Sequence, residues 1–320
     1  MRQFFLDIVT GQRSRQGLWV LPLLMALAIV AFLTVRTGHM LRPDNLLNLL
    51  AQAMPLIITA IGQTFVVLVG GLDLSVGALI SFSTAILALG GPAWILIPAV
   101  FLLAGLVGLI NGVAVARLNV HPIIATLAMQ YIIVGVTLVL RPVAGGSVPR
   151  VVIESVGGTF LGLPMQVYWG VVVVLVAWKL LHGSRFGLHL FAIGGGVASG
   201  AEDAAHNVGV AVKRNVIFAY VASACFAAAA GIFLAGRIVS GDPTVGNGYE
   251  IYAITAVAVG GTQLSGGIGS LHGTIIGAMV LALLSNGMTL LNVSPFVQTA
   301  IQGGILLLVV AMQTRRKMGL

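Results

Sequence analysis

The chain consists of long apolar stretches separated by short polar ones. Because about 20 apolar residues cross a bilayer as a helix, the pattern predicts an all-α polytopic membrane helix bundle of about 10 transmembrane helices, forming a single domain over residues 1–320. Two stretches, 75–90 and 251–262, are short and predict interrupted or tilted helices. The apolar stretches lie near residues 18–35, 46–69, 75–90, 93–116, 122–140, 166–181, 215–236, 251–262, 268–290 and 295–312.

A glycine-rich phrase occurs twice, at Val69–Gly77 and Val259–Gly267, with six of nine positions identical. Non-helical backbone of this kind has a high free energy at membrane depth, unless protein or a water-filled cavity surrounds its polar groups. Paired interrupted segments are typical of transporter cores. Duplication and convergence on one turn chemistry both remain open as the origin of the repeat. The candidate pathway residues are Gly70, Gly71, Asp73, Ser75, Gly77, Gly260, Gly261, Ser265 and Gly267.

Three side chains in these phrases are polar enough to carry a specific role. Ser75 and Ser265 occupy the same position of the repeat and precede apolar runs, so we expect their hydroxyls to cap helices. Asp73, which pairs with Gln263 in the repeat, is a carboxylate at membrane depth and therefore a candidate functional group. Asp73 also has the chemistry of a helix cap, so a structural role and a substrate-contacting role both remain open.

The composition excludes a soluble protein, since only 8% of the residues are charged, against about 25% in soluble domains. The net charge of +8 fits basic residues in cytoplasmic loops, and no nucleic-acid partner is expected. Eleven of the 16 Lys and Arg residues fall on one predicted side. We therefore expect a multi-pass protein with both termini, including the arm 1–17, in the cytoplasm.

No motif in the chain indicates catalysis. None of the three lysines follows a glycine, so a P-loop is absent. The six histidines form no cluster with metal-ligand spacing, and we expect no enzymatic activity, cofactor or metal. The glycine ladders Gly269–Gly273–Gly277 and Gly108–Gly112 predict close helix packing.

The segment 182–214 is the longest polar stretch and is predicted to be a cytoplasmic coupling loop. Within it, Ala201–Asn207 is expected to form a short helix with two carboxylates at its N-terminal end, where the helix dipole favours anions. A solvated connector and a docking surface for a cytoplasmic partner are the two alternatives. The candidate docking residues are Arg185, Gly187, Glu202, Asp203, Ala204, Ala205 and Gly209.

The phrase Gly70–Gly77 resembles the signature of ribose-type permease subunits of bacterial ABC sugar importers, in the branched-chain amino acid/ribose-type permease family. The resemblance continues through Arg185–Gly187 and Gly248–Ile251 to Val259–Thr274. It implies a permease dimer, of two copies or of homologues, in the lipid of the bacterial inner membrane. It also implies cytoplasmic ATP-binding-cassette subunits docked on the 182–214 loop, and a periplasmic protein that delivers a monosaccharide or similar solute.

The sequence departs from the family pattern at Gly194–Gly196 and at Ser199–Gly200, where an Asn and a Pro-Glu-Ala pattern are expected. The alternative function is an ion-coupled secondary transporter, which would explain interrupted helices. That class requires titratable residues along its pathway, and inside the predicted crossings only Asp73 and His272 are available. A channel and a non-transporting scaffold are weaker alternatives, because neither a filter sequence nor a soluble output domain is present.

Overall fold

The computed structural model describes residues 20–199, 205–206 and 209–312. Over these residues the chain forms twelve helices and one antiparallel pair of two-residue strands, β1 (Thr159–Phe160) and β2 (Leu163–Pro164). The helices are α1 (Val20–Thr37), α2 (Pro43–Leu68), α3 (Val76–Leu87), α4 (Ala93–Ala116), α5 (Pro122–Leu140), α6 (Arg150–Gly157), α7 (Met165–His182), α8 (Arg185–Ser199), α9 (Val212–Ile238), α10 (Tyr249–Val259), α11 (Leu271–Leu290) and α12 (Pro295–Met312).

Ten of these helices coincide in order with the ten predicted apolar stretches. Seven described helices, α1, α2, α4, α5, α7, α9 and α11, are long and apolar enough to cross a membrane. The helices α3 and α10, with 12 and 11 residues, are the two short elements expected beside the glycine phrases. The polytopic helix bundle predicted from the sequence is therefore confirmed.

Two further helices form between the predicted apolar stretches. The helix α6 lies in the 141–164 segment and buries Val152 and Val156, which are four residues apart and share one face. The helix α8 occupies the first half of the 182–214 segment and buries Leu190 and Ile193. Half of the presumed loop is thus packed against the helix bundle.

The glycine ladders allow helices within the chain to approach closely. A Cβ atom on Gly108 would lie 2.6 Å from the Tyr220 carbonyl oxygen, and one on Gly112 would lie 2.7 Å from Ile217 Cα, so α4 and α9 meet backbone to backbone. In the same way, Gly277 of α11 faces the backbone of α10 at Ala256, and Gly273 faces Gly260, the residue that follows α10. The prediction of close packing at these four glycines is confirmed.

The segment 241–248, which precedes α10, folds back along α3. Asp242 N–H donates to Thr84 Oγ1 at 3.0 Å, and the Thr84 hydroxyl donates to the Asp242 carbonyl at 3.0 Å. Further along, Gly246 N–H donates to Ser81 Oγ at 2.9 Å. The segment therefore runs antiparallel to α3 and delivers the chain to the first turn of α10.

One histidine lies elsewhere than expected. His272, predicted to lie well inside a membrane crossing, is the second residue of α11 and is exposed. Its ring packs edge-on against Trp178 of α7, with centroids 4.6 Å apart. The apolar stretch 268–290 predicted the crossing, but the helix itself begins only at Leu271, so the histidine falls at the helix end.

Candidate functional site

The first glycine phrase ends α2 in a Schellman motif. Gly70 has a φ of +77°, a conformation that residues with a Cβ rarely adopt. Gly70 N–H donates to the Val67 carbonyl at 2.9 Å, and Gly71 N–H donates to the Val66 carbonyl at 3.0 Å. These are the two bonds that define the motif and satisfy carbonyls at the helix end.

The second phrase ends α10 in the same motif, but one residue later in the repeat. Gly261 has a φ of +84°, and its N–H donates to the Ala258 carbonyl at 3.1 Å, while Thr262 N–H donates to the Val257 carbonyl at 3.1 Å. The sequence repeat pairs Gly70 with Gly260, yet the conformational equivalent of Gly70 is Gly261. This offset favours shared turn chemistry over a position-by-position duplication.

The two phrases touch each other through their main chains. Gly267 N–H donates to the Leu68 carbonyl oxygen at 2.9 Å, so a carbonyl in the last turn of α2 is satisfied by the other phrase. A Cβ atom on Gly266 would lie 2.8 Å from Gly70 N. Residues almost two hundred positions apart are thus brought together at one end of the bundle.

The helix α8 packs onto the same point. A Cβ atom on Gly194 would overlap both the Leu68 carbonyl oxygen and Gly267 N, and a Cβ atom on Gly267 would lie 2.5 Å from Gly195 N. At the start of the helix, Gly187 faces the Leu181 carbonyl in similarly close contact. We call the set Leu68, Gly70, Gly194, Gly266 and Gly267 the glycine junction. Position 194, where the sequence departs from the family pattern, therefore has to be glycine in this packing arrangement.

Asp73 is fully buried and holds the chain between α2 and α3. Its Oδ1 accepts hydrogen bonds from Ser75 N–H at 3.0 Å and from the Ser75 hydroxyl at 2.6 Å. Asn111 Nδ2 of α4 donates to Ser75 Oγ at 3.0 Å. The prediction that the Ser75 hydroxyl caps α3 is wrong, since Ser75 makes no side-chain cap bond and its hydroxyl is engaged by Asp73.

The rest of the Asp73 environment is polar but less completely bonded. With its amide oriented for hydrogen bonding, Gln63 accepts from Asp73 N–H at 3.0 Å and donates to the Asp73 carbonyl at 3.2 Å. Tyr220 and Ser223 of α9 lie beside the carboxylate. Within the described residues, however, Asp73 Oδ2, Ser223 Oγ and the Tyr220 hydroxyl have no partner of good geometry. An enclosed carboxylate of this kind favours a structural role for Asp73 over contact with substrate.

Sequence reasoning missed the polar residues that surround Asp73. Asn111, Tyr220 and Ser223 stand singly in long apolar helices, and nothing local distinguishes them from packing residues. The position of the Tyr220 side chain also requires a glycine at position 71, because a Cβ atom on Gly71 would lie 2.5 Å from the Tyr220 hydroxyl oxygen. Only the packing of α4 and α9 against the first phrase brings these groups together.

The second predicted serine cap also fails. Ser265 is exposed and lies within the loop, six residues before α11 begins. The cap of α11 is Ser270, whose Oγ accepts from Gly273 N–H at 3.1 Å. The chain needs an extra turn at Gly266 and Gly267, both with positive φ, before the helix starts. Nothing in the apolar stretch 268–290 indicated that turn.

Gly77 of the first phrase lies against a carboxylate that the sequence analysis did not select. The Glu250 carboxylate, in the first turn of α10, occupies the space where a Gly77 side chain would lie. Its Oε1 accepts from Gly248 N–H at 3.4 Å, and Gln130 of α5 is close to it. The sequence contained a signal that could have identified Glu250, because this residue directly precedes a charge-free stretch that runs to residue 314.

The segment 182–214 contains a third Schellman motif among its described residues. Ala205 and His206 are helical; Gly209 N–H donates to the His206 carbonyl at 2.9 Å, and Val210 N–H donates to the Ala205 carbonyl at 3.1 Å. Gly209 has the expected positive φ of +81°. Arg185 and Gly187 lie in the first turn of α8. The predicted residues Glu202, Asp203 and Ala204 lie outside the described residues.

A cavity of about 260 Å³ links this segment to the first phrase. Gly70, Gly71 and Tyr220 line one side of it, and Ala205 and Lys213 line the other. The coupling segment and the signature phrase therefore face each other across a small internal space. Among the described residues, no group of three or more His, Cys, Asp or Glu side chains is placed to hold a metal ion.

Comparison with known proteins gives one consistent result. The ribose import permease protein RbsC of Escherichia coli strain K12 is 34% identical over 97% of this chain and 98% of its own length. The ribose import permease protein RbsC of Bacillus subtilis strain 168 is 36% identical over 92% of each chain. The D-allose transport system permease protein AlsC of Escherichia coli strain K12 is 30% identical over 90% of this chain and 89% of its own length. No solved structure matches the chain.

The family model described as branched-chain amino acid transport system / permease component matches residues 45–310. The matched region contains both glycine phrases, the described residues of the 182–214 segment, all of the helices from α3 to α11 and most of α2 and α12. With its helical membrane architecture and the resemblance first seen at Gly70–Gly77, the chain belongs to this family of transport-system permease components.

Proposed function

We propose that the chain is the membrane-spanning permease subunit of an ATP-binding-cassette importer for a monosaccharide or a similar small polar solute. The relatives named for ribose and D-allose support a sugar as substrate. The proposal includes the bacterial inner membrane as location, with both termini and the arm 1–17 in the cytoplasm. It is supported by the concentration of Lys and Arg on one predicted side of the membrane.

The observation that carries this proposal is the packing of α8 onto the glycine junction. Gly194 touches the Leu68 carbonyl and Gly267, which belong to the ends of α2 and of the second phrase. Close-packed backbones transmit displacement, because packed interfaces switch between discrete arrangements instead of deforming smoothly. A force applied to the 182–214 segment would therefore reach both interrupted helical regions together.

The energy for transport would come from partner subunits. Cytoplasmic ATP-binding-cassette subunits would dock on Arg185, Gly187 and the 201–209 part of the coupling segment. A periplasmic sugar-binding protein would deliver the solute on the opposite side, and a second permease, identical or homologous, would complete the pathway. The chain itself would hydrolyse nothing and hold no cofactor.

The ion-coupled alternative receives no support from the positions of its two titratable candidates. Asp73 is enclosed and bonded to Ser75, while His272 is exposed at the start of α11 beside Trp178. The two side chains contact different helices and form no relay with each other. A proton or sodium pathway would require a connected series of such groups.

Reconstitution into vesicles tests the proposal directly. With its ATPase subunits, its binding protein and ATP, the chain should take up labelled ribose or another monosaccharide; without the ATPase it should take up none. Uptake by the chain alone, driven by a proton or sodium gradient, would overturn the importer assignment.

Docking of the ATPase is tested by charge reversal in the coupling segment. Glu202→Arg and Asp203→Arg should reduce copurification of the ATPase and ATP-driven uptake, while the protein still inserts into the membrane. Glu154→Arg is the matched control, since Glu154 is an exposed carboxylate paired with Arg150 on the opposite predicted side. Unchanged copurification in both coupling-segment variants would contradict the docking assignment.

A further inference from the structure

A large cavity lies away from the glycine junction, in a groove between α7 and α9. It has a volume of about 920 Å³, near the upper end of the ~300–1,000 Å³ range of ligand pockets. Its walls are apolar along most of their length, with Val172 and Val176 from α7 and Ala222 and Cys225 from α9 among them. Val172 and Val176 are 47% and 50% exposed, so the groove opens on the outer surface of the bundle.

The polar lining of this groove is gathered at one end. Residues from the end of α7, the first turns of α8 and the start of α9 all line the cavity. The polar lining residues there are Ser184, Arg185, His189, Arg214 and Asn215. The opposite end is lined by apolar side chains alone among the described residues.

Among the residues that the structure describes, the groove carries positive charge without a matching carboxylate. Arg185 and Arg214 are exposed at its polar end, and the Arg214 guanidinium lies over the Phe218 ring, 5.4 Å from its centroid. Within the described part of the chain, no Asp or Glu lines the groove, and neither arginine takes part in an ion pair. The pattern is an apolar trough at membrane depth that ends in two cations.

From this arrangement we propose that the groove binds an anionic phospholipid. The phosphate would sit between Arg185 and Arg214, and an acyl chain would lie along the apolar walls of α7 and α9. Basic pockets between membrane helices on the cytoplasmic side are suited to anionic headgroups, and a guanidinium binds phosphate oxygens bidentately. The proposal is independent of the transported solute.

Charge complementarity selects a lipid over a second copy of the chain. The whole sequence has eight Asp and Glu residues against 16 Lys and Arg, and the carboxylates in its membrane region, Asp73 and Glu250, are engaged inside the bundle. A second copy would therefore carry a net charge of +8 of its own, and like-charge repulsion opposes its approach to the two arginines. A bilayer containing anionic lipid supplies phosphate at the same depth as the two arginines.

The bound lipid would also bear on α8. Arg185 and His189 lie on α8 and line the groove, and the same helix packs through Gly194 onto the glycine junction. A headgroup held between Arg185 and Arg214 would tie the start of α8 to the start of α9. Lipid composition would thereby influence the position of the helix that precedes the coupling residues.

The first test measures lipid retained by the full chain after purification from vesicles of phosphatidylcholine mixed with phosphatidylglycerol. The wild type should retain phosphatidylglycerol selectively. The Arg185→Gln/Arg214→Gln double variant should bind it at least about tenfold more weakly, because hydrogen bonds to charged groups are among the stronger ones. Arg117→Gln is the matched control: Arg117 is an exposed arginine on the same predicted side, outside the groove, and should retain lipid as the wild type does.

The second test uses Cys225, the only cysteine in the chain, which lines the groove. Phosphatidylglycerol should slow its modification by an apolar maleimide relative to pure phosphatidylcholine, and the double variant should lose this protection. Inorganic phosphate added to phosphatidylcholine vesicles should not protect. Protection by phosphate alone, protection that rises with protein density in phosphatidylcholine, or equal lipid retention by the double variant would each overturn the proposal.

Discussion

Gly267 donates its main-chain N–H to the carbonyl oxygen of Leu68, across 2.9 Å. This bond joins the second glycine phrase to the end of α2, and Gly194 of α8 packs over both atoms. Three parts of the sequence therefore share one point of contact that contains no side-chain atoms.

Gly194→Ala should destabilise the protein and reduce uptake. The added methyl group would overlap the Leu68 carbonyl and Gly267 N, and overpacking of this kind typically costs ~1–3 kcal/mol. Thermal unfolding of the detergent-solubilised protein measures the loss. Gly195→Ala is the neighbouring control: its Cβ would meet nothing within 4 Å, and an Ala in a helix interior is worth ~0.5–1 kcal/mol over Gly. Equal unfolding temperatures for the two variants would refute the packing account.

Asp73→Asn should be tolerated much better than Asp73→Ala. Asn keeps an oxygen that accepts from Ser75 N–H and from its hydroxyl, whereas Ala leaves those buried donors unpaired, at a cost of ~1–3 kcal/mol. Stability and uptake should therefore stay near wild type in Asp73→Asn and fall in Asp73→Ala. If Asp73→Asn abolished uptake while the protein remained as stable as wild type, the negative charge itself would be required and the structural role would be wrong.

Ser270→Ala should cost about 1 kcal/mol of stability, the usual loss of an N-cap, because it removes the acceptor of Gly273 N–H. Ser265→Ala should be close to neutral, since Ser265 is exposed and precedes the helix. Chemical or thermal unfolding of the two variants compares the stability lost at each position. A larger effect at Ser265 than at Ser270 would restore the cap expected from the sequence repeat.

Asn45 and Asn286 should show measurable coupling in a double-mutant cycle. Asn45 Nδ2 donates to Asn286 Oδ1 at 3.3 Å, and Asn286 Nδ2 donates back to Asn45 Oδ1 at 3.0 Å, joining α2 to α11. Hydrogen bonds between membrane helices average ~0.6 kcal/mol in such cycles, and we expect a coupling of that order. Asn45→Ala, Asn286→Ala and the double variant provide the cycle, and strictly additive losses would show that the pair does not interact.

Gly209→Ala should weaken coupling through strain alone. Gly209 has a φ of +81° with open space around its Cβ position, so the penalty is the ~1–2 kcal/mol of a left-handed conformation. We expect reduced ATP-driven uptake with normal membrane insertion. Gly135→Ala, in α5 with open space and no positive φ, is the control. Normal uptake in Gly209→Ala would indicate that the third Schellman motif is dispensable.

The sequence predicted the bundle well because long apolar stretches have few alternatives in a membrane. It also located the short helices α3 and α10, since each adjoins a glycine phrase that ends a helix. It failed where tertiary contacts decide. Ser75 has a hydroxyl that could cap a helix, but Asp73 and Asn111 form hydrogen bonds with that hydroxyl instead. No local sequence pattern predicts these competing hydrogen bonds.

The helix α8 illustrates the other limit of sequence reasoning. The sequence predicted a loop over 182–214, yet α8 forms there although four of its residues are glycines, which disfavour helices. In the folded chain, Gly187 and Gly194 lie two turns apart on one face, where each meets a backbone carbonyl. Their helix-breaking tendency is offset by packing that only glycine permits, and that packing exists only once α2 and α7 are in place.

Because the glycine junction is held together by main-chain atoms, it limits which kinds of mutation can disrupt it. No side-chain truncation can remove the link from Gly267 to Leu68, because both linked atoms belong to the peptide chain. Variation at Gly194, Gly266 and Gly267 can only add atoms. Inactivating substitutions there should therefore arise by gain of volume, and reversion should come from second sites where a neighbouring residue becomes smaller.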